Sequence, residues 1–131
     1  MRTKNSGGLL AVLVLVLAAI PVLAHHSVEA EFYQDREFEV TGTLVQVDWV
    51  NPHMLTRVQV QDGDQTRDVV CQAHPPNTFR RSGLLKSDWE VGEAVTMTCL
   101  QAKSGDPNWG FLKMIRYVET GRVIVIRHAG V

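Results

Sequence analysis

Two adjacent histidines near the N-terminus are the residues of this chain best suited to chemistry. His25 and His26 directly follow Ala24. If the chain is cut after Ala24, His25 offers its α-amine and a ring nitrogen on one residue, and the pair can chelate a divalent metal once both are deprotonated. Among divalent first-row metals, such nitrogen donors favour Cu(II).

A further imidazole has to come from the body of the fold. The two sources are His53, at the junction of two predicted strands, and His74, before a double proline. Both lie at strand ends, where side chains converge on one rim of a barrel. The alternative is that these histidines are exposed or hydrogen-bond their own loops. We therefore predict a metal site, with copper as the first candidate ion, from His25, His26, His53 and His74.

The arrangement of an α-amine with imidazoles is shared with exported copper proteins and with copper-dependent oxygenases that have a histidine brace. The analogy concerns the ligands and not the fold. Two methionines, Met54 and Met97, are soft enough to bind copper, but each lies on an alternating apolar face and is expected in the core.

Catalytic machinery has little support in the sequence. It contains no Gly-x-Ser-x-Gly elbow, no phosphate-binding glycine loop and no paired His-Glu zinc motif. The carboxylates most open to an acid/base role, Asp48, Glu90 and Glu93, are scattered along the chain. No catalytic residue is assigned, and a non-enzymatic protein is favoured.

The first 24 residues have the features of a Sec-type signal peptide. Two basic residues precede the unbroken apolar run Leu9–Ile20, and Pro21–Ala24 follows with small or modest side chains at the −3 and −1 positions of the cut. An uncleaved anchor is the alternative, although a helix over this run rises only about 18 Å against a bilayer core of about 30 Å. A lipoprotein needs Cys where His25 stands. We predict a periplasmic or secreted protein with no membrane association after cleavage of residues 1–24.

The charge balance argues against nucleic acid as a partner. Removing 24 of the 131 residues leaves 107, with 11 basic and 14 acidic side chains. The longest basic cluster is Arg80–Arg81. A nucleic-acid-binding surface needs a basic face to neutralise phosphates, and this chain offers none. The expected partners are a metal ion or small ligand, or another exported protein.

Apolar alternation with closely spaced turns predicts an all-β fold. Asp62–Asp64 is a strong hairpin turn, and Pro75-Pro76 opens a short helix that Gly83 stops. A change of parity near Thr41–Gly42 suggests a bulge there. The predicted strands cover residues 38–50, 53–61, 65–73, 94–101, 109–118 and 123–127, with the helix at 77–82.

Three strands, a short helix and two or three further strands follow the order of a small OB-like barrel. We predict such a barrel of five to six strands, with the helix between the third and fourth strands; a small β-sandwich is the alternative. Residues 38–131 form the barrel domain, and the acidic, weakly patterned residues 25–37 form an N-terminal arm on it.

Two cysteines, Cys71 and Cys99, make an even pair in an exported chain, so a disulfide is the default. In an ideal OB barrel the third and fourth strands are not neighbours. The bridge would then cross the barrel interior or an end; otherwise the thiols are free and buried.

Several segments together resemble a family of small exported bacterial proteins of unknown function. They are the Ala-His-His-Ser start at residues 24–27, Glu31-Phe32, Gly42–Val45, the segment Val47–His53 that ends in Asn-Pro-His, and Pro76–Gly83 with its Arg-Arg-x-Gly end. The resemblance spans the whole mature chain and implies a periplasmic or secreted single β-domain with no inherited activity. The cysteine pair and Trp89 depart from the family pattern.

These observations lead to one functional prediction and two alternatives. The prediction is an exported, non-enzymatic binding module that holds a ligand, with copper as the first candidate, at its strand-end rim. The first alternative is a structural or protein-interaction domain of the cell envelope, which pairs a barrel edge or groove with another exported protein. The second is a copper-dependent redox enzyme or oxygenase.

Overall fold

Six strands form the body of the protein, of which the computed structural model describes residues 27–127. Two short helices and one 3-10 turn, at Lys86–Asp88, accompany the strands. In chain order the helices and strands are α1 (Val28–Glu31), β1 (Phe32–Asp48), β2 (Met54–Asp62), β3 (Gln65–Ala73), α2 (Pro76–Arg81), β4 (Ala94–Ala102), β5 (Trp109–Tyr117) and β6 (Val123–Val125). No helix within these residues is long and apolar enough to cross a membrane.

The strands close into a ring. The long strand β1 pairs antiparallel with β4 along residues 32–43 and with β2 along residues 43–48. Antiparallel pairs join β2 to β3 and β4 to β5, and a parallel pairing of β3 with β5 closes the barrel. The sixth strand adds to β5. The prediction of a small OB-like barrel with a helix between its third and fourth strands is confirmed.

The first strand differs from its prediction at three places, one of which is its end, at Asp48 instead of Val50. It begins at Phe32 instead of Phe38, because exposed polar side chains from Gln34 to Glu37 hide the alternation although the backbone is extended. The bulge lies at Val45 and not at Thr41–Gly42, since the pairing of β1 with β2 skips from Leu44 to Gln46. The predicted position of the bulge was therefore wrong by three residues, counted from Gly42 to Val45.

The barrel interior is filled by alternate side chains of every strand. Met54 and Met97 lie there fully buried, as predicted, and the Met97 sulfur accepts a hydrogen bond of 3.4 Å from the Thr56 hydroxyl. Burial of this apolar set, at about 25 cal/mol per Å², is the main stabilising contribution. The largest fully buried members include Tyr117, Leu44, Met54, Met97, Leu112 and Ile115.

A second apolar cluster covers the outside of β4 and β5. We call it the outer cluster; it consists of Phe32, Leu100, Ala102 and Phe111, with Val28 and Trp109 packed against it. The Phe32 ring lies 5.7 Å from that of Phe111 and 6.4 Å from that of Trp109, centroid to centroid. The start of the described chain is thus held against the outer surface of the barrel.

Candidate functional site

His53 and His74 lie at the same end of two paired strands. The ladder between β2 and β3 ends where Met54 opposes Ala73. The Met54 amide also donates a hydrogen bond of 3.4 Å to the His74 carbonyl. Continuing the register by one residue sets His53 opposite His74, so two of the four predicted metal ligands come together at the end of one hairpin.

Alternation along the strands predicts that both histidines face the outer side of the barrel. Met54 and Ala73 are buried in the interior, and each histidine is the neighbour of one of them in the chain. The ring of His74 meets the ring of Phe111 edge-on at 5.2 Å, which puts His74 beside the outer cluster.

The His53 ring is half-buried, and its Nδ1 atom has no hydrogen-bond partner among residues 27–127. A buried polar nitrogen without a partner is uncommon in folded proteins, and water or an ion is a usual explanation. His53 therefore has the donor atom that a metal or a small polar ligand would use.

The remaining predicted ligands, His25 and His26, lie outside the described residues. The described chain starts at Ser27, and Val28 packs on the outer cluster that also contacts His74 through Phe111. Two residues of extended chain span at most about 7 Å, which bounds the separation of His25 from Ser27 along the chain.

Metal ligands do not converge within the described part of the chain. Between residues 27 and 127, no group of three or more His, Cys, Asp or Glu side chains is placed to hold a metal ion. Of the carboxylates considered for an acid/base role, Glu90 pairs with Arg122 at 3.4 Å, and Asp48 accepts a hydrogen bond from Gln46. A complete metal site would need the N-terminal histidines.

Aromatic packing fixes the loop that carries His53. Trp49 lies 5.7 Å from Phe79 and 6.5 Å from Trp89, centroid to centroid, so the end of β1 is anchored under α2. The helix α2 starts with Pro76 in its first turn, and Gly83 beyond its end has a positive φ of 84°. This proline and glycine placement is typical of a short helix with defined ends, and it sets where His74 leaves β3.

A cleft of about 610 Å³ opens beside His74, between α2 and β6. One wall is formed by Val125, Ile126 and Arg127, and the other by His74 with Thr78, Phe79, Ser82 and Leu84. No local pattern in the sequence predicts this cleft, because the cleft depends on how α2 is placed against a strand more than forty residues later. Arg127 is the residue that sequence reasoning missed.

The predicted disulfide between Cys71 and Cys99 is present. Its Cα atoms are 6.7 Å apart and both residues are fully buried. Cys71 belongs to β3 and Cys99 to β4, which are not paired with each other. Of the alternatives that the sequence left open, the bridge through the barrel interior is the one that forms.

The model of a family of unknown function, DUF6152, matches residues 12–110. The chain belongs to this family. The match includes the segments around His25, His53 and His74, so the DUF6152 region contains all four predicted ligands and both cysteines. Comparison with curated proteins and with solved structures finds no match.

Proposed function

We propose that this DUF6152 protein is an exported copper-binding module. The ligands are the α-amine and ring of His25, in a chain processed after Ala24, together with the imidazoles of His53 and His74; His26 is a further nitrogen donor. The observation that carries the proposal is that His53 precedes β2 and His74 follows β3 at the same end of this strand pair, and that His74 contacts Phe111 of the outer cluster, where Val28 also packs. Opposed residues of an antiparallel pair have Cβ atoms about 5 Å apart, which suits two imidazoles sharing one ion.

The site would be selective for copper by donor type. Neutral imidazole and amine nitrogens bind Cu(II) more tightly than the other divalent first-row ions, and no thiolate competes, because both cysteines are in the disulfide. Binding requires deprotonated nitrogens. The affinity for Cu(II) should therefore fall as the pH drops below the pKa of a free imidazole, about 6.5.

Calorimetric titration with Cu(II) tests the proposal. The protein is first shown by intact mass to begin at His25, and it is compared with a form that carries one extra N-terminal glycine. His53→Ala and His74→Phe are titrated beside them, since phenylalanine keeps a ring against Phe111 but offers no nitrogen. We expect each change to weaken binding by about tenfold or more, which corresponds to about 1.4 kcal/mol per lost ligand.

Electron paramagnetic resonance of the copper-loaded protein provides the second measurement. The native form should show coupling to several nitrogens, and the pattern should change in His53→Ala. Equal affinity of the native and glycine-extended forms would remove the role of the terminal amine. If both histidine variants also bind as the native protein does, the site is not where we propose it.

A protein-interaction role is the second candidate function. The observation that favours it is the unpaired edge of β6 beside the cleft.

A further inference from the structure

The strand β6 presents one unpaired edge. Its hydrogen bonds to β5 alternate along the chain: the Tyr117 amide donates to the Arg122 carbonyl at 2.9 Å, and the Ile126 amide donates to the Lys113 carbonyl at 2.8 Å. In an antiparallel ladder, hydrogen-bonded and non-bonded residue pairs alternate. The backbone amide and carbonyl of Ile124 therefore also face β5. The amide and carbonyl groups of Val123 and Val125 therefore point away from the barrel.

This edge lacks most of the features that prevent strand pairing. Native edges are protected by charged side chains, proline, bulges or a covering element. Here Val123 and Val125 are valines with 45% and 57% of their surface exposed, and no described residue bonds to their outward backbone groups. Only the shortness of β6, three residues, limits pairing with another strand.

The cleft described above lies along the same edge. Val125 and Arg127 line it on the β6 side, and Phe79 and Leu84 form the apolar part of the opposite wall. Its volume of about 610 Å³ is within the range of ligand-binding pockets. An extended peptide beside Val125 would exchange backbone hydrogen bonds with it and would place alternate side chains into the cleft.

The charges around the cleft select the chemistry of such a peptide. Arg127 lines the cleft, two further arginines lie in the last turn of α2 beside it, and no Asp or Glu lines the cleft. These arginines are Arg80, Arg81 and Arg127, and none of them forms an ion pair within residues 27–127. The walls are therefore complementary to carboxylates, although the protein as a whole has a formal charge of −1.

We propose that the β6 edge and the adjoining cleft bind an extended acidic segment of a partner protein by strand addition. Backbone bonds to Val123 and Val125 give the affinity, and Arg127 in the cleft, with Arg80 and Arg81 beside it, selects acidic side chains. This inference does not require copper, although His74, a proposed copper ligand, also lines the cleft.

Fluorescence anisotropy with a labelled synthetic peptide tests the proposal. The probe alternates glutamate and valine over about eight residues, within the usual length of a strand. A peptide of the same length with lysine for glutamate is the matched probe. We expect the acidic peptide to bind at least about tenfold more tightly, with the difference shrinking at high salt because exposed charges are screened.

Substitutions at the edge separate backbone pairing from charge. Val125→Pro removes the Val125 amide, which points outward and makes no hydrogen bond to β5. Val125→Thr keeps this amide. The proline variant should bind the acidic peptide about tenfold more weakly, and the threonine variant should bind as wild type does. Arg127→Glu serves as a test that does not depend on proline being tolerated; it should reduce or reverse the preference for the acidic peptide.

Three results would overturn the proposal. One is equal binding of the acidic and basic peptides, and another is wild-type affinity in a folded Val125→Pro protein. The third is a dimer of the protein alone in sedimentation that Val125→Pro abolishes, since the edge would then pair with a second copy.

Discussion

Gly42 does not lie in a turn; glycine is needed there because the backbone of the neighbouring strand leaves no space for a side chain. A Cβ atom added to it would lie 2.2 Å from the Gln59 carbonyl oxygen and 2.9 Å from a methyl carbon of Val58. Neither neighbour is the free end of a flexible side chain, because β2 is held by β1 and β3 on both sides. Glycine here allows β1 and β2 to approach closely as β1 bends around the barrel.

Gly42→Ala should therefore destabilise the fold. The expected loss in the free energy of unfolding is about 1–3 kcal/mol, as for other overpacked sites, and urea unfolding measures it. Thr43→Ala, at the exposed next position, is the control and should change stability by less than about 0.5 kcal/mol. If Gly42→Ala matches the control, β1 and β2 separate without cost and the close approach is not a constraint.

At the scale of elements, Tyr117 ties the segment before β4 to β5. Its hydroxyl accepts a hydrogen bond of 2.9 Å from the Glu90 amide, and the Arg122 guanidinium lies 4.5 Å above its ring. Arg122 also bonds to the Asp88 carbonyl and pairs with Glu90. Burial raises the pKa of the Tyr117 hydroxyl, and this outweighs the bond from Glu90, which lowers it.

A raised pKa makes the stability of this element depend on alkaline pH. The folded state holds the Tyr117 proton more tightly than the unfolded state, so the tyrosine contributes its full stability below pH 10. The contribution is lost as the pH rises through the unfolded value of about 10 toward the folded value. Thermal melting from pH 8 to 11 should show a steeper decline for wild type than for Tyr117→Phe. Parallel declines would mean that lysine titration, common to both proteins, explains the effect.

The sequence predicts those elements whose signals are local. The alternation, the Asp62–Asp64 turn and the proline pair determine β2, β3 and α2 to within about one residue. It does not predict the start of β1, where polar side chains on an extended backbone carry no alternation. The bulge at Val45 was also misplaced, because Gly42 gave a stronger local signal than two successive exposed residues.

The candidate site divides in the same way. The position of His53 and His74 at strand ends follows from the two breaks in the strand pattern, so their approach could be predicted. The β6 cleft could not, because it exists only where α2 packs against a strand distant in sequence. The copper site as a whole, with His25, His26, His53 and His74, stays a prediction.

At the scale of the whole molecule, the disulfide joins parts of the barrel that hydrogen bonding leaves apart. From Cys71 the ring can be followed through β5 to Cys99, since β5 pairs with both β3 and β4. The bridge connects β3 and β4 directly through the barrel interior. It also encloses a loop of 28 residues that contains α2 and the 3-10 turn, and with them one wall of the cleft.

Removing the bridge should weaken the entire fold and not one element. Closing a loop of this length restricts the unfolded chain by about 3–4 kcal/mol in the loop-entropy model, so Cys71→Ala with Cys99→Ala should lower the free energy of unfolding by about that amount. Urea unfolding with and without reductant measures this loss. The reductant reaches the buried bridge once the chain unfolds, so it should lower the urea midpoint of wild type and leave that of the double variant unchanged.

Alkylation of unfolded wild type, before reduction, should label no thiol. A double variant as stable as the oxidised protein would show that the closed hydrogen-bonded ring alone holds β3 and β4 in place.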